Sequence, residues 1–181
     1  TLGGTEQTAQ KSLDSVVDEY AHTYPDLEAC RSRVSGQLRI YSYLELQRES
    51  IRLAARISTI RKLYASSRPI AVSMRRDFAW YALYIAAIRL RIPIAPLVQD
   101  IEITDTQEAR NLEILTSLTP FLVVVDSDSP PSLLSECTQA GIGVLFFSEL
   151  CLYSESAICV PIEPNIPLAY LYTGGTTSAS K

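Results

Sequence analysis

The sequence predicts an α/β fold in which a largely parallel sheet is layered between helices. Three observations carry this. Short apolar runs at 70–74, 92–97, 121–126 and 143–147 alternate with segments of helical period. The stretch after Asp77, FAWYALYIAAIRL, is almost wholly apolar, so a helix there must be buried on most sides. A chain of 181 residues with 47% hydrophobic content is long and apolar enough for one domain with a real core.

The elements follow in order. Residues 1–12 are polar and read as a loose lead-in. Residues 13–22 fit a short helix with Leu13, Val16, Val17 and Tyr20 on one side. VSGQLRIY, 34–41, reads as a hairpin turning at Ser35-Gly36. Ser42 followed by Glu45 is a capping box, which starts a helix with Tyr43, Leu46, Ser50, Leu53, Ile57, Ile60 and Tyr64 on one stripe. IAVSM is a strand, Asp77 starts the apolar helix, and IPIAPL is a strand whose prolines place it at a sheet edge or a strand end. Asp105 with Glu108 reads as a second capping box, for a helix through about Leu118. FLVVVD, 121–126, is the clearest strand. Ser129 with Pro130 starts a helix through Thr138 that Gly141 closes, and GVLFF, 143–147, is a strand. Residues 148–167 are irregular and proline-bearing. Leu168-Ala-Tyr-Leu-Tyr172 reads as a buried strand, and a glycine loop follows it.

Composition narrows the function classes. No apolar run reaches the ~18 residues of a membrane span. The polar N-terminus has no apolar core of the kind a signal peptide needs, and without an initiator Met it is compatible with a start further upstream. Cys30, Cys137, Cys151 and Cys159 form no CxxC pair and His22 is the only histidine, so zinc ligation is not expected. Scattered thiols suit a reducing, cytoplasmic compartment. His22, in a polar stretch near the terminus, reads as a surface residue rather than a general base. The net charge of −4 is segregated: 13 Lys+Arg and 3 Asp+Glu fall within 31–91. Such a block can bind nucleic acid. Arg48, Arg52 and Arg56 recur every four residues, however, which fits the solvated face of a helix better, and no nucleic-acid partner is expected.

The closing stretch LAYLYTGGTTSASK carries the chemistry. Gly174 and Gly175 allow a sharp turn after a strand, and their N–H groups can approach an anion closely. Thr173, Thr176, Thr177, Ser178 and Ser180 supply hydroxyls, and Lys181 supplies a positive charge. These are the parts of a phosphate cradle, although Ser180 stands where a Walker A loop has its glycine before the lysine. A flexible linker has a similar composition. The position of the loop, at a strand end in an α/β sheet, favours the cradle.

These residues resemble the adenylate-forming enzymes, which include acyl-CoA synthetases, luciferases and nonribosomal peptide synthetase adenylation domains. The phosphate loop of that family reads Tyr-Thr-Ser-Gly-Thr-Thr-Gly-x-Pro-Lys. Tyr172, Thr173, Gly175, Thr176, Thr177 and Lys181 match it in register; Gly174 replaces Ser, Ser178 replaces Gly and Ser180 replaces Pro. YSYLEL at 41–46 is similar to the family's Leu-Thr-Tyr-x-Glu-Leu. IAAIRLRIPIAPL at 85–97 is similar to its Leu-Lys-Ala-Gly-x-x-Tyr-Val-Pro-Leu, with Arg91 where the glycine belongs. The helix and strand in ARNLEILTSLTPFLVVVD follow in the family's order.

The resemblance implies that 13–181 is the N-terminal part of an AMP-binding domain, truncated at the phosphate loop, since family members run far longer. It implies ATP with Mg2+ as cofactors, a carboxylic or amino acid substrate, and coenzyme A or a carrier-protein phosphopantetheine as acyl acceptor. It assigns Thr173, Gly174, Gly175, Thr176, Thr177, Ser178 and Lys181 to nucleotide binding, and no catalytic residue or metal ligand to this stretch. The rival reading is a noncatalytic binding or interaction module that keeps the fold. Arg91, Ser178 and Ser180 motivate it.

Overall fold

The computed structural model describes residues 11–64, 68–97, 105–151 and 167–171 of the chain. Helix α1, Leu13–Thr23, begins where the polar lead-in ends. Strands β1, Glu28–Val34, and β2, Gln37–Ser42, pair antiparallel as a hairpin. Ser35 and Gly36 both have positive φ (50° and 82°), which is the requirement of the two-residue turn that matches strand twist. Helix α2, Tyr43–Tyr64, starts at the expected capping box. The Ser42 N–H donates to Glu45 Oε2 at 2.8 Å, and the Glu45 N–H donates to Ser42 Oγ at 3.3 Å.

The central sheet holds β3 (Ile70–Ser73), β4 (Ile94–Pro96), β5 (Leu122–Val125) and β6 (Gly143–Phe146) in the order β4-β3-β5-β6, all parallel. Helices α3 (Phe78–Arg89), α4 (Asp105–Leu118) and α5 (Pro131–Gln139) make the crossovers. The walk from β3 to β4 runs one way and the walk from β4 through β5 to β6 runs the other. Right-handed crossovers then require α3 on one face and α4 and α5 on the other. The packing has this form. Ile70, Val72, Leu122 and Val124 face a core built with α2 and α3, whereas Ala71, Ala95, Val123 and Val125 face one built with α4 and α5. Alternate residues of each strand thus serve opposite layers, which is why these strands are uninterrupted apolar runs.

Strand β4 ends the four-strand order and has its prolines at the strand ends, one of the two placements expected; on its outer side Ala169 bridges Ile94 in parallel. The Ile94 N–H donates to Leu168 O (3.1 Å) and the Tyr170 N–H donates to Ile94 O (2.9 Å). The prolines are tolerated because Pro93 precedes the strand and Pro96 ends it. Several expectations are corrected: where a buried strand was expected over 168–172, the described part forms a single parallel bridge at Ala169, and Tyr172 lies outside the described residues. Ala169 and Tyr170 are half-buried, one toward each core, while Leu168 and Leu171 are 44% and 76% exposed. Ser129 does not start α5; Pro130 stands at its N-cap, and the Ser129 hydroxyl is used between strands. Helix α4 starts at Asp105, where the second capping box was read; the Asp105 side chain lies outside the described residues, and Glu108 Oε1 accepts from Ser132 Oγ at 2.8 Å, tying α4 to α5. A one-turn helix α6, Phe147–Leu150, follows β6 where irregular chain was expected. Gly141 does close α5, at φ 66°, with its N–H on Thr138 O and the Ile142 N–H on Cys137 O.

Candidate functional site

In a doubly wound sheet, ligands gather beyond the carboxyl ends of the strands, where the strand order reverses. Here that point lies between β3 and β5. The chain stitches it together. Ser129 Oγ donates to Ser73 O at 2.8 Å and accepts the Asp126 N–H at 3.2 Å. The Arg75 N–H donates to Asp126 Oδ2 at 3.1 Å, and Arg75 Nε pairs with Asp128 Oδ2 at 3.2 Å. The Asp128 N–H on Asp126 Oδ1 closes a local turn. Both serines are buried, so the loops after β3 and β5 form one rigid floor. Its guanidinium is already matched by two carboxylates, and this suits the floor to position neighbours rather than to hold an anion.

The described residues nearest in sequence to the positions that sequence reasoning selected are 167–171. The chain at 168–170 runs parallel to β4, so its direction is that of β3, β4 and β5, and it heads toward their carboxyl edge. With ~4.8 Å between neighbouring strands, the chain leaves Leu171 about 10 Å from the end of β3. Thr173, Gly174, Gly175, Thr176, Thr177, Ser178, Ser180 and Lys181 themselves lie outside the described residues.

Arg91 is where the sequence substitutes a familiar glycine. It has φ 54°, its N–H donates to Ile88 O, and the Ile92 N–H donates to Ala87 O. This is the helix-closing turn that favours glycine. Arg91 sustains it with its own side chain. Nη1 donates to Ile88 O at 2.8 Å, and Nη2 pairs with Asp14 Oδ2 at 3.4 Å, both residues being more than nine-tenths buried. Two residues earlier, Arg89 holds Asp18 through two contacts of 2.9 and 2.5 Å and donates to Ser50 Oγ. Burial pushes the Asp18 carboxyl up, but hydrogen bonds from Arg89 and Gln47 outweigh it and leave the group below its ordinary range. Helix α1 is thereby fastened to the end of α3.

Charges segregated along the sequence are therefore mixed in space. Arg52 pairs with Glu49 and donates to Cys151 O at 2.6 Å, closing the end of α6, and Arg61 donates to Leu90 O. Sequence reasoning took Arg52 for a solvated face. The missing signal was tertiary, because α6 was not foreseen. His22 is exposed in the last turn of α1. Cys30, Cys137 and Cys151 are free thiols; burial and the Glu136 charge push Cys137 up to about 11, which makes it a poor nucleophile. Cys159 lies outside the described residues. Among the described residues, no three of His, Cys, Asp and Glu come together as a metal site, and no helix is long and apolar enough to cross a membrane.

No family model matches the chain, and no curated protein matches it. Solved structures do. The adenylation and carrier portion of McyG, complexed with phenylalanyl-adenylate, superposes with a TM-score of 0.78 at 15% identity, over 99% of this chain and 33% of that one. The O-succinylbenzoate coenzyme A synthetase MenE of Bacillus subtilis, in complex with AMP, gives 0.68 at 17% identity, over 91% of this chain and 40% of that one. The N-terminal subdomain of Klebsiella oxytoca NpsA, in complex with 3-hydroxybenzoyl-AMSN, gives 0.70 at 18% identity, over 94% and 40%. The chain thus spans well under half the length of each. What the likeness establishes is the fold, that of the N-terminal part of adenylate-forming enzymes.

Proposed function

We propose that this chain, folded like the N-terminal part of adenylate-forming enzymes, is the front portion of an ATP-dependent ligase. Residues 13–181 form the first part of an AMP-binding domain, and 1–12 lead into it. The ligase activates a carboxylic or amino acid as its adenylate and passes the acyl group to a thiol, of coenzyme A or of a carrier protein's phosphopantetheine. The observation that carries this reading is the parallel pairing of Ala169 with Ile94, because it directs the chain that leads to the glycine loop toward the ligand edge of the sheet.

The substrate carboxylate attacks the α-phosphate of ATP. A bond forms from carboxylate oxygen to phosphorus, and pyrophosphate leaves with the electron pair of the broken P–O bond. The thiol sulfur then attacks the acyl carbon, the thiol proton is lost, and AMP leaves. What this stretch of chain contributes is charge handling on the β- and γ-phosphates. N–H groups of Gly174 and Gly175 and hydroxyls of Thr173, Thr176, Thr177 and Ser178 donate to phosphate oxygens, and Lys181 neutralises charge. Mg2+ would be carried in with ATP. The working compartment is the cytoplasm.

The rival, a module that keeps the fold without the chemistry, loses one of its three supports. The turn at Arg91 forms with arginine in it, so that departure does not argue for lost function.

The test is acid-dependent exchange of labelled pyrophosphate into ATP by the full-length polypeptide, across a panel of carboxylic and amino acids. Exchange is expected with a subset of acids. Thr176→Ala should slow it about 10²-fold, the usual effect of removing one aligned donor. Residues 1–181 alone should show no exchange. Exchange by 1–181 alone, or none by the full-length protein with any acid, would overturn the reading.

A further inference from the structure

Between α1, the hairpin, α2 and α3 lies a cavity of about 420 Å³. None of β3–β6 lines it. Its walls include Val17 of α1, Cys30 of β1 and three rings of α3: Trp80, Tyr81 and Tyr84. The volume falls in the ~300–1,000 Å³ range of small-molecule sites. No charged residue is among those that line it.

We propose that this cavity is a binding site for a neutral, planar aromatic small molecule. The chemistry follows from the walls. A charged ligand would leave water for a lining that offers no opposite charge, which disfavours it. Trp80 and Tyr84, one helical turn apart, are stacked at 5.2 Å between centroids and 9° between planes. A third planar ring extends such a stack with its faces offset. Tyr81 stands edge-on to Trp80 at 5.4 Å and 89°. Tyr81 is 41% exposed and Leu13 is 46% exposed, so the mouth is open and apolar at its rim. The Cys30 thiol stays protonated, since burial and then the nearby Asp77 charge push it up, and it adds no charge to the wall.

The chain itself provides the reporters. Trp80 is its only tryptophan and Cys30 lies in the same wall. The probe is N-phenyl-1-naphthylamine, a neutral planar aromatic, titrated onto the full chain. Trp80 emission should be quenched saturably. At a probe concentration about ten times its Kd, alkylation of Cys30 by N-ethylmaleimide, resolved by peptide mass, should slow about tenfold. Cys151, exposed after α6, should keep its rate. Ala29→Leu, which narrows the cavity, should weaken the probe at least about tenfold. Quenching that never saturates, saturable quenching without protection of Cys30, or a folded Ala29→Leu chain that binds as before would each overturn the proposal. So would a Cys30 that resists alkylation before any probe is added, because another segment of the polypeptide would then fill the cavity. The protection measurement uses the unaltered chain, so it decides the matter even if Ala29→Leu does not fold.

Discussion

Arg91 bears two opposing costs. A non-glycine residue in the left-handed region costs about 1–2 kcal/mol. Breaking a buried ion pair by removing one partner costs about 3–5 kcal/mol, because the remaining charge is uncompensated. Arg91→Gly should therefore destabilise the chain, by about 2–3 kcal/mol in urea denaturation. Its pair with Asp14 is a single 3.4 Å contact that leaves Asp14 Oδ1 and Arg91 Nε without a protein partner, which places the effect toward the low end. Adding Asp14→Leu should restore most of the loss, since no buried charge then remains. Asp18 makes a pH prediction. Its folded pKa is below its unfolded one, so its contribution is complete above about pH 4 and is lost as the pH falls through the folded value. Denaturation midpoints measured from pH 6 down to pH 2 should fall more gently in Asp18→Asn than in the parent.

At the scale of elements, legibility tracked how local the cause was. The capping box at Ser42 and Glu45 and the turn at Ser35-Gly36 are local hydrogen-bond and φ requirements, and both form as read. Ser42→Ala should cost about 1 kcal/mol, measured as a shift in urea midpoint at unchanged slope. The start of α5 was misread because Ser129 has two uses for its hydroxyl. Capping a helix is the local use; bonding Ser73 O across the β3–β5 boundary is the tertiary one, and there the hydroxyl joins the Asp126 N–H in satisfying both lone pairs of a fully buried carbonyl. Helix α6 was missed for a related reason. Its end is closed by Arg52, about a hundred residues earlier in the chain, and no local pattern announces that.

For the molecule as a whole, the stretch at 168–170 links the sheet to the candidate nucleotide loop. Tyr170→Pro removes the N–H that bonds Ile94 O. It should cost about 1 kcal/mol of stability, one ladder bond. Under the proposed function it should also abolish ATP-dependent exchange in the full-length protein while leaving amide protection in α2 and α3 intact. Hydrogen exchange of the Ile94 amide, which loses its Leu168 partner when the stretch detaches, checks the first half. The core explains why damage stays local: the layer under α2 and α3 and the layer under α4 and α5 bury opposite faces of β3 and β5, and this stretch adds only the half-buried Ala169 and Tyr170 at their margins.

The sequence by itself determined the alternation of strands and helices, the three-layer class and the likeness of YTGGTTSASK to a phosphate loop, because these rest on periodicity, short-range capping and glycine placement. Only the tertiary structure decided that the chain at 169 returns beside β4, that the switch point falls between β3 and β5, and that Arg75, Arg89 and Arg91 pair with Asp126 and Asp128, Asp18 and Asp14. Strand order, and the partner that satisfies a buried charge or carbonyl, depend on residues distant in sequence that the packing of two cores brings together.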